Sequence, residues 1–417
     1  MVATIRGPLQ GVEGLGMASS ASAAPPVKDR MIWLAAPAFL FVLIGFAAPI
    51  LWFLSQSVDG EAIGRALPQT AAALARWDGE TAPPAAAYDA MVQDLSALED
   101  RPAVGALARE LNFREPGYRT VIWRTHRALR KAGSADPGQS GLDRLLAADP
   151  AWGGVEIWRV IQREARRFTP FFLLNSLDLE QAPQGGVERK PEVERVFLSI
   201  YGRTIVIALT VTGLCALLGY PVAYLIANAA PRWGLLLLLI VLLPFWTSLL
   251  VRTLSWMVIF QRQGVLNGVL LDLGLLTDNL QLLRTRTAVY VSMVHILLPF
   301  MVLPLYSVMK KIPRTYVMAA ESLGAGRLRA LATVYFPQTA PGLAAGAVLV
   351  LTLALGFYIT PMLLGGGGDQ MVSYFVATYV NESLNWGTAA ALAGWLMLFA
   401  FLCFFLINLT SRRMGGQ

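Results

Sequence analysis

The sequence predicts an all-α membrane protein with six transmembrane helices. Of its 417 residues, 55% are hydrophobic and only 15% are charged, whereas about a quarter of the residues in soluble domains are charged. The hydrophobic residues cluster into almost uncharged runs that are long enough to cross a bilayer core of about 30 Å as helices. Backbone groups in hydrocarbon must be hydrogen-bonded internally, so these runs are expected to be helical.

The charge distribution narrows the class of protein further. A net charge of +7 is compatible with nucleic-acid binding, but the basic residues form no stripe interleaved with aromatic side chains. Several flank hydrophobic runs instead, as membrane topology predicts. We therefore predict contact with the lipid bilayer and no nucleic-acid partner. Cys215 and Cys403 stand alone within hydrophobic runs, so no disulfide framework and no metal site is predicted.

The N-terminal part is predicted to enter the membrane once. Residues 1–30 are small, polar and proline-containing, and we interpret them as a disordered cytoplasmic tail in which Met17 is an alternative start. Residues 31–58 follow Lys28 and Arg30 and form a hydrophobic run too long for the core of a signal peptide. This run is predicted to be the first transmembrane helix.

Residues 59–195 have a different character, with dense charges of both signs. The positions Val155, Trp158, Ile161, Ala165 and Phe168 follow three- and four-residue steps, a spacing typical of one apolar helix face. We predict a helical periplasmic insert between helices 1 and 2. It acts either as a structural cap or as a docking surface for a solute-binding partner.

Residues 196–410 are predicted to hold five more transmembrane helices, followed by a cytoplasmic tail at 411–417. The predicted spans are 198–228, 233–260, 287–309, 342–364 and 388–410. The loop 310–341 carries five basic residues and the loop 365–387 carries none. Because lysine and arginine favour cytoplasmic loops, both termini are predicted to be cytoplasmic and the insert to lie outside. The basic residues of the loop 261–286 conflict mildly with this topology.

No motif for catalysis or for ATP binding occurs. A P-loop needs a lysine directly after a glycine, and none of the five lysines follows one. The serine-hydrolase and zinc-protease motifs are also absent. We therefore predict no catalytic residues, no metal ligands and no cofactor bound by this chain. The four glycines from Gly365 to Gly368 predict a flexible turn at the outer end of the fifth helix.

The cytoplasmic loop carries the most informative pattern. Pro313 can start a helix, the small pair Ala319-Ala320 allows close approach to another surface, and Gly324 allows a sharp turn into a second helix. Pro337 disfavours continuation of that second helix, and Pro341 is predicted to open the next span. Such a helix-turn-helix is either a docking element or an interfacial helix bound to anionic lipid.

This segment resembles the conserved loop of binding-protein-dependent ABC importer permeases. The family pattern is Glu-Ala-Ala, three residues, Gly, nine residues, Ile, any residue, Leu-Pro. Here Ala319-Ala320, Gly324 and Phe336-Pro337 stand at the same spacing. Met318 replaces the usual glutamate, and Glu321 is a candidate substitute for it.

The resemblance implies a type I (MetI-like) core and a mechanism. Residues 318–337 would form the coupling loop, which fits a cleft on a separate ATPase dimer that binds ATP and Mg²⁺. A second permease subunit, expected to be a shorter and different chain, and a periplasmic solute-binding protein would complete an inward-directed transporter in the bacterial inner membrane. The segments 243–267 and 359–393 resemble the spermidine/putrescine-type branch, so polyamines are candidate solutes.

Residues along a translocation path are the final prediction. Arg252 lies in a hydrophobic run, where a charged side chain is costly and usually faces a cavity. It either lines the path or snorkels to the headgroups. The aromatic residues Trp246, Trp256 and Tyr358 could hold a cationic amine over their rings. The alternative function is a self-sufficient secondary transporter or channel, but the predicted spans show neither embedded acids nor internal repeats.

Overall fold

The computed structural model describes residues 30–132, 139–182 and 186–415, which are mostly helical. The predicted tail at 1–29, including Met17, lies outside the described residues. The chain divides into two units, one ending at Leu51 and the other beginning at Trp52. The first hydrophobic run comprises α1 (Arg30–Val42), a π-helical turn (Leu43–Ala47) and α2 (Ala48–Ser55). Residues Ala36–Ser55 are long and apolar enough to cross a bilayer.

The segment that follows folds into short helices and one small hairpin. The helices are α3 (Glu61–Ala66), α4 (Pro68–Leu74), α5 (Ala85–Ala97), α6 (Arg101–Arg114), α7 (Tyr118–Ala132), α8 (Gly141–Ala148), α9 (Val155–Glu164) and α10 (Phe171–Asn175). The strands β1 (Leu179–Gln181) and β2 (Val187–Arg189) pair antiparallel. Short 3₁₀ turns lie at Pro150–Gly153 and Glu192–Glu194. We call residues 59–195 the insert.

The rest of the chain consists of long helices interrupted at defined positions. They are α11 (Phe197–Asn228), α12 (Pro231–Leu242), α13 (Leu249–Phe260), α14 (Val265–Asp272), α15 (Arg286–Met309), α16 (Arg314–Ser322), α17 (Arg327–Ala330), α18 (Phe336–Gly356), α19 (Ile359–Leu364), α20 (Val372–Asn381) and α21 (Trp386–Gly415). A π-helical turn (Leu331–Tyr335) joins α17 to α18, and 3₁₀ turns lie at Leu243–Trp246 and Gly367–Asp369.

The helices α11, α15 and α18 form the centre of the second unit. Their buried side chains pack into one cluster that includes Ile207, Val211, Met293, Leu297 and Val350. Glycines bring the helices close together, since a Cβ on Gly346 would meet the Met301 sulfur at 2.7 Å. The predicted spans 198–228 and 287–309 agree with α11 and α15 within one residue.

The third predicted span, 233–260, was wrong as one straight helix. The chain bends by 97° between Pro231–Trp246 and Leu249–Asp272. Pro244 has no backbone N–H to continue the helical hydrogen bonds, and the Ser248 Oγ caps α13 by accepting from the Val251 N–H at 3.2 Å. Within the described residues, five helices can cross a bilayer, or six if this bent pair counts as one span.

The fifth predicted span, 342–364, had both ends misplaced. A continuous helical stretch runs from Arg327 to Gly356, so neither Pro337 nor Pro341 ends the helix or starts it. The π-helical turn directly precedes Phe336 and Pro337 and shifts the hydrogen-bonding register. The helix therefore accommodates Pro337, which has no backbone N–H to donate. The chain becomes extended at Phe357, and the short α19 follows.

The last helix is longer than the sequence predicted. It was expected to span 388–410, with a cytoplasmic tail at 411–417, but α21 runs from Trp386 to Gly415. Helix therefore continues through most of the predicted tail. Leu398, Phe401 and Leu402 lie exposed along this helix, as expected for side chains that face lipid.

The insert has a hydrophobic core of its own. Its fully buried side chains include Leu111, Ile122, Trp152, Trp158 and Ile161. The predicted apolar face is correct at Trp158 and Ile161 but wrong at Phe168, because α9 ends at Glu164 and the Phe168 side chain is 68% exposed. The predicted helical pattern was extended past the end of α9.

A buried ion cluster lies between α6, α9 and α10. The Arg114 Nε donates to the Glu164 carboxylate at 3.1 Å, and both side chains are 1% exposed. The same carboxylate accepts from the Thr169 Oγ1 at 2.8 Å. The Arg114 guanidinium also lies over the Phe172 ring at 4.2 Å. Burial raises the pKa of the nearby Glu110 carboxyl, and the positive charge of Arg114 opposes that rise.

Among the described residues, contacts of α10 and of Asp178 attach the insert to the membrane helices. Helix α10 packs on the start of α21, where the Phe172 ring covers Gly387. Buried Asp178 caps α11: its carboxylate accepts from the backbone N–H groups of residues 196–198 at 2.7–3.0 Å. The insert is therefore continuous with α11 and α21 in packing as well as in sequence.

Substitution of Gly387 tests the contact between α10 and α21. A side chain there would overlap the Phe172 ring, so Gly387→Val is expected to destabilise the junction by about 1–3 kcal/mol. Protection of the α10 amides in hydrogen exchange would report the loss. Gly394→Val is the control, because the nearest atom to a Cβ there is the Leu54 Cδ2 at an ordinary 3.5 Å. Equal effects of the two variants would refute this account.

Candidate functional site

The turn between α16 and α17 is built around Gly324. Its φ is +91°, a backbone conformation that favours glycine. The Gly324 N–H donates to the Glu321 carbonyl at 2.9 Å, and the Ala325 N–H donates to the Ala320 carbonyl at 3.0 Å. These two bonds are the pattern of a glycine-centred helix C-cap. The turn predicted from Gly324 is therefore present, and its geometry explains why a glycine stands there.

Large apolar side chains surround this turn and are not covered by the described chain. Leu323 is 89% exposed and Leu328 is 84% exposed, and Tyr316 and Met318 are about half exposed. Exposed apolar side chains gathered around one turn are typical of a surface that a partner or lipid covers. The loop therefore has the character of a docking surface at the end of the helix bundle.

The acidic residue of the loop is engaged within the loop itself. The Glu321 carboxylate lies 3.9 Å from the Arg327 Nε across the turn, and the Arg327 side chain is 90% exposed. Such an exposed pair contributes little to stability, about 0–1 kcal/mol. The carboxylate is thus held close to the turn without being buried in it.

The other predicted coupling residues lie on both sides of the turn. Met318 and Glu321 lie one turn apart on α16, with Ala319 and Ala320 between them. Pro337 lies beyond the turn, inside the continuous helix that leads into the bundle. The structure therefore brings the residues of α16 together around Gly324 and leaves Pro337 in the following helix.

The loop is tied to the ends of the central helices. The Arg314 guanidinium donates to the Asn228 carbonyl at 2.9 Å, at the C-terminal end of α11, where a positive charge is favoured by the helix dipole. The Tyr220 hydroxyl of α11 lies 3.1 Å from the Thr339 Oγ1 of α18. Arg314 thus joins the loop to the end of α11, and the loop continues directly into α18.

The predicted path residues lie around α13 and the break between α18 and α19. The Thr253 and Thr360 hydroxyls are 3.1 Å apart, which joins α13 to α19. A cavity of about 290 Å³ lies between Leu249 and the segment Gly356–Ile359, and Tyr358 lines it. Tyr358 also lines a groove of about 510 Å³ that reaches α20 and α21.

Trp256 and Arg252 lie one turn apart on α13. The Trp256 Nε1 donates to the His295 Nδ1 at 3.2 Å, and its ring stacks on Phe260 at 4.9 Å. The Arg252 Nε is buried and has no hydrogen-bond partner among the described residues. An arginine nitrogen without a partner in an apolar helix is costly.

Trp246 is separate from this group. Its side chain is 75% exposed in the 3₁₀ turn before α13, on the other side of the 97° bend. The cavity that Tyr358 lines includes Leu249 of α13, and Trp246 is not among its lining residues.

Comparison with known proteins decides the family. The sequence profile described as "Binding-protein-dependent transport system inner membrane component" matches residues 217–416. The spermidine/putrescine transport system permease protein PotB of Haemophilus influenzae is 36% identical over 214 residues, which cover 50% of this chain and 75% of that protein. PotB of Escherichia coli is 32% identical over 199 residues, covering 48% and 72%. The chain belongs to the family of binding-protein-dependent transport system inner membrane components.

The chain is therefore a permease subunit of an ABC importer, a multi-pass inner-membrane protein that translocates a solute inward. A permease of this kind works with an ATPase and a periplasmic solute-binding protein. Among solved structures, a bacterial alginate ABC transporter in complex with an alginate pentasaccharide-bound periplasmic protein has a TM-score of 0.42 and 21% identity, over 52% of this chain and 79% of that one.

The glycine-rich segment of the permease is not the flexible turn that the sequence predicted. The Arg286 Nε donates to the Asp369 carboxylate at 2.8 Å, and the Arg203 guanidinium donates to the Gly368 carbonyl at 3.0 Å. Asp369 is buried and also accepts from the Gly366 N–H at 3.1 Å. Two arginines from α11 and α15 therefore hold this turn in place. Arg203 and Arg286 were missed because contacts between distant segments leave no local pattern in the sequence.

Proposed function

We propose that this permease is one half of a heterodimeric translocation unit that imports polyamines. The exposed apolar turn at Gly324, tied to α11 and α18, is the observation that carries the coupling role. In this proposal, Met318, Leu323 and Leu328 enter a cleft on a partner ATPase. ATP and Mg²⁺ are bound and hydrolysed by that ATPase dimer, since this chain has no P-loop.

The polyamine assignment rests on the relatives named as spermidine/putrescine permeases and on the aromatic residues of the path. Trp256 and Tyr358 can hold an ammonium group over their rings. Arg252 would repel a cation, so we assign it to a gate rather than to the solute site. Both termini are proposed to be cytoplasmic, which places the coupling loop on the side of the ATPase.

Uptake in proteoliposomes tests the proposal. The complete importer should accumulate radiolabelled spermidine or putrescine only when ATP is supplied on the side of the ATPase subunits and the solute-binding protein is present on the other side. ATP-driven activity without polyamine uptake would refute the substrate and leave the permease role standing. Uptake by this chain alone without ATP would instead favour a secondary transporter or channel.

A substitution at Trp256 tests the proposed path. Trp256→Leu removes the aromatic ring that the proposal assigns to a cationic amine, so polyamine uptake is expected to fall about tenfold, the effect of about 1.4 kcal/mol. Trp233→Leu is the matched control, because Trp233 is 55% exposed at the start of α12. If both variants transport equally, Trp256 has no role in the path.

A further inference from the structure

Charge is segregated within the insert. Residues 59–195 contain 18 basic and 20 acidic residues, yet α7 contains five basic residues and no acidic one. The five are Arg119, Arg124, Arg127, Arg130 and Lys131. On a surface where acidic and basic residues alternate, these charges would be spread out. Here they are concentrated on one helix.

The five basic residues share one face of α7. At 100° per residue they fall within an arc of about 140°, and all five are exposed. Buried Val121, Ile122 and Leu129 occupy the opposite side. From Arg119 to Lys131 the face is about 18 Å long. We call it the basic face.

The basic face is held on a rigid support. The Trp152 Nε1 donates to the Thr125 Oγ1 at 2.7 Å, and the His126 Nε2 lies 3.0 Å from the Leu98 carbonyl. Both Thr125 and His126 are buried. A surface that is already ordered loses little conformational entropy when a partner binds.

Most of this positive charge is not neutralised within the described chain. Arg124 pairs with Asp149 at 3.2 Å. The other four basic residues form no ion pair with residues in the ranges 30–132, 139–182 and 186–415. Unpaired charges of one sign attract a surface of the opposite sign and accelerate its association.

The position of the basic face favours a soluble partner over lipid headgroups. Helix α7 packs mainly on α5, α6 and α8. The insert meets the membrane helices elsewhere, through α10 and through Asp178 at the start of α11. The basic face therefore lies on a helix, α7, that is not among the helices contacting the membrane spans.

We propose that the basic face of α7 docks an acidic surface of the importer's soluble solute-binding protein. This inference rests on the proposed function, which places the insert outside the membrane and supplies such a partner. The long-range attraction would orient the incoming protein before short-range contacts form.

A charge reversal tests the proposal in the intact importer, held in nanodiscs of zwitterionic lipid. The probe is the importer's own solute-binding protein, and the variant is Arg127→Glu/Arg130→Glu. Its association rate is expected to fall about tenfold or more at low salt, and its salt dependence to flatten. Arg76→Glu/Arg189→Glu is the control, because both arginines are exposed on other parts of the insert and the change in charge is equal. The control should bind like the wild type.

Other outcomes distinguish the alternatives. Arg127→Lys/Arg130→Lys keeps the charge and should bind normally, which separates charge from folding. Wild-type binding by the reversal variant, or equal weakening by the control, would overturn the proposal. Weakened attachment to phosphatidylglycerol vesicles with unchanged protein binding would assign the face to lipid and overturn it as well. If the wild-type importer binds no solute-binding protein, the proposed function itself fails.

Discussion

Replacing Gly324 with valine is expected to weaken coupled transport strongly. At a φ of +91°, a side chain costs about 1–2 kcal/mol, and more when it is β-branched. The turn would lose its two closing hydrogen bonds, and Leu323 and Leu328 would no longer be presented together. The importer should lose about tenfold or more of its solute uptake and should retain less ATPase subunit through purification.

Gly326→Val is the matched control for this experiment. Gly326 lies two residues further on, its φ is −64° and its ψ is 154°, and space is open around it as it is around Gly324. Valine adopts that extended conformation readily. Comparable losses in both variants would mean that the loop tolerates no side chain at all, and that the conformation of Gly324 is not the reason.

Replacing Arg114 with methionine is expected to have the largest effect on stability. The substitution leaves the Glu164 carboxylate buried with only Arg163 and Thr169 as polar partners among the described residues. Removal of one partner from a buried ion pair costs about 3–5 kcal/mol. Hydrogen exchange on the full chain, which resolves the stability of the insert from that of the membrane helices, would measure the loss.

Two further variants make the Arg114 experiment decisive. Arg65→Met removes exposed ion pairs to Asp59 and Glu61 and is expected to cost less than about 1 kcal/mol. Combining Arg114→Met with Glu164→Gln removes the buried carboxylate charge that has lost Arg114 and should restore part of the stability. If the double variant is no more stable than Arg114→Met, the cost comes from lost packing on Phe172 instead.

The bounds of membrane spans that depend only on the length of a hydrophobic run were predicted well from the sequence. The spans at α11 and α15 agree with the structure because their apolar runs are uninterrupted by a cap. The prediction of one straight third span was wrong because Pro244 lacks the backbone N–H that would continue the helix and Ser248 caps a new helix. Pro337 was predicted to end a helix, but the helix continues through it. The preceding π-helical turn accommodates the proline, and such a turn has no sequence signature.

The candidate site was predictable to the extent that it is local. The Gly324 turn follows from one residue and its neighbours, so the spacing sufficed. The contacts of Arg203 and Arg286 with Gly368 and Asp369 join three segments that are distant in sequence. Only the folded chain brings these segments together. Trp246 was grouped with Trp256 on residue type, but the two residues lie on different sides of the bend before α13.

The capping of α11 by Asp178 has a mechanical consequence. Since Phe172 also packs on Gly387 of α21, the insert is attached to the N-terminal ends of both α11 and α21. A small tilt of those helices during transport would sweep the far helices of the insert through a wider arc. Spectroscopic labels on α7 would then amplify gating motions that are too small to follow within the membrane itself.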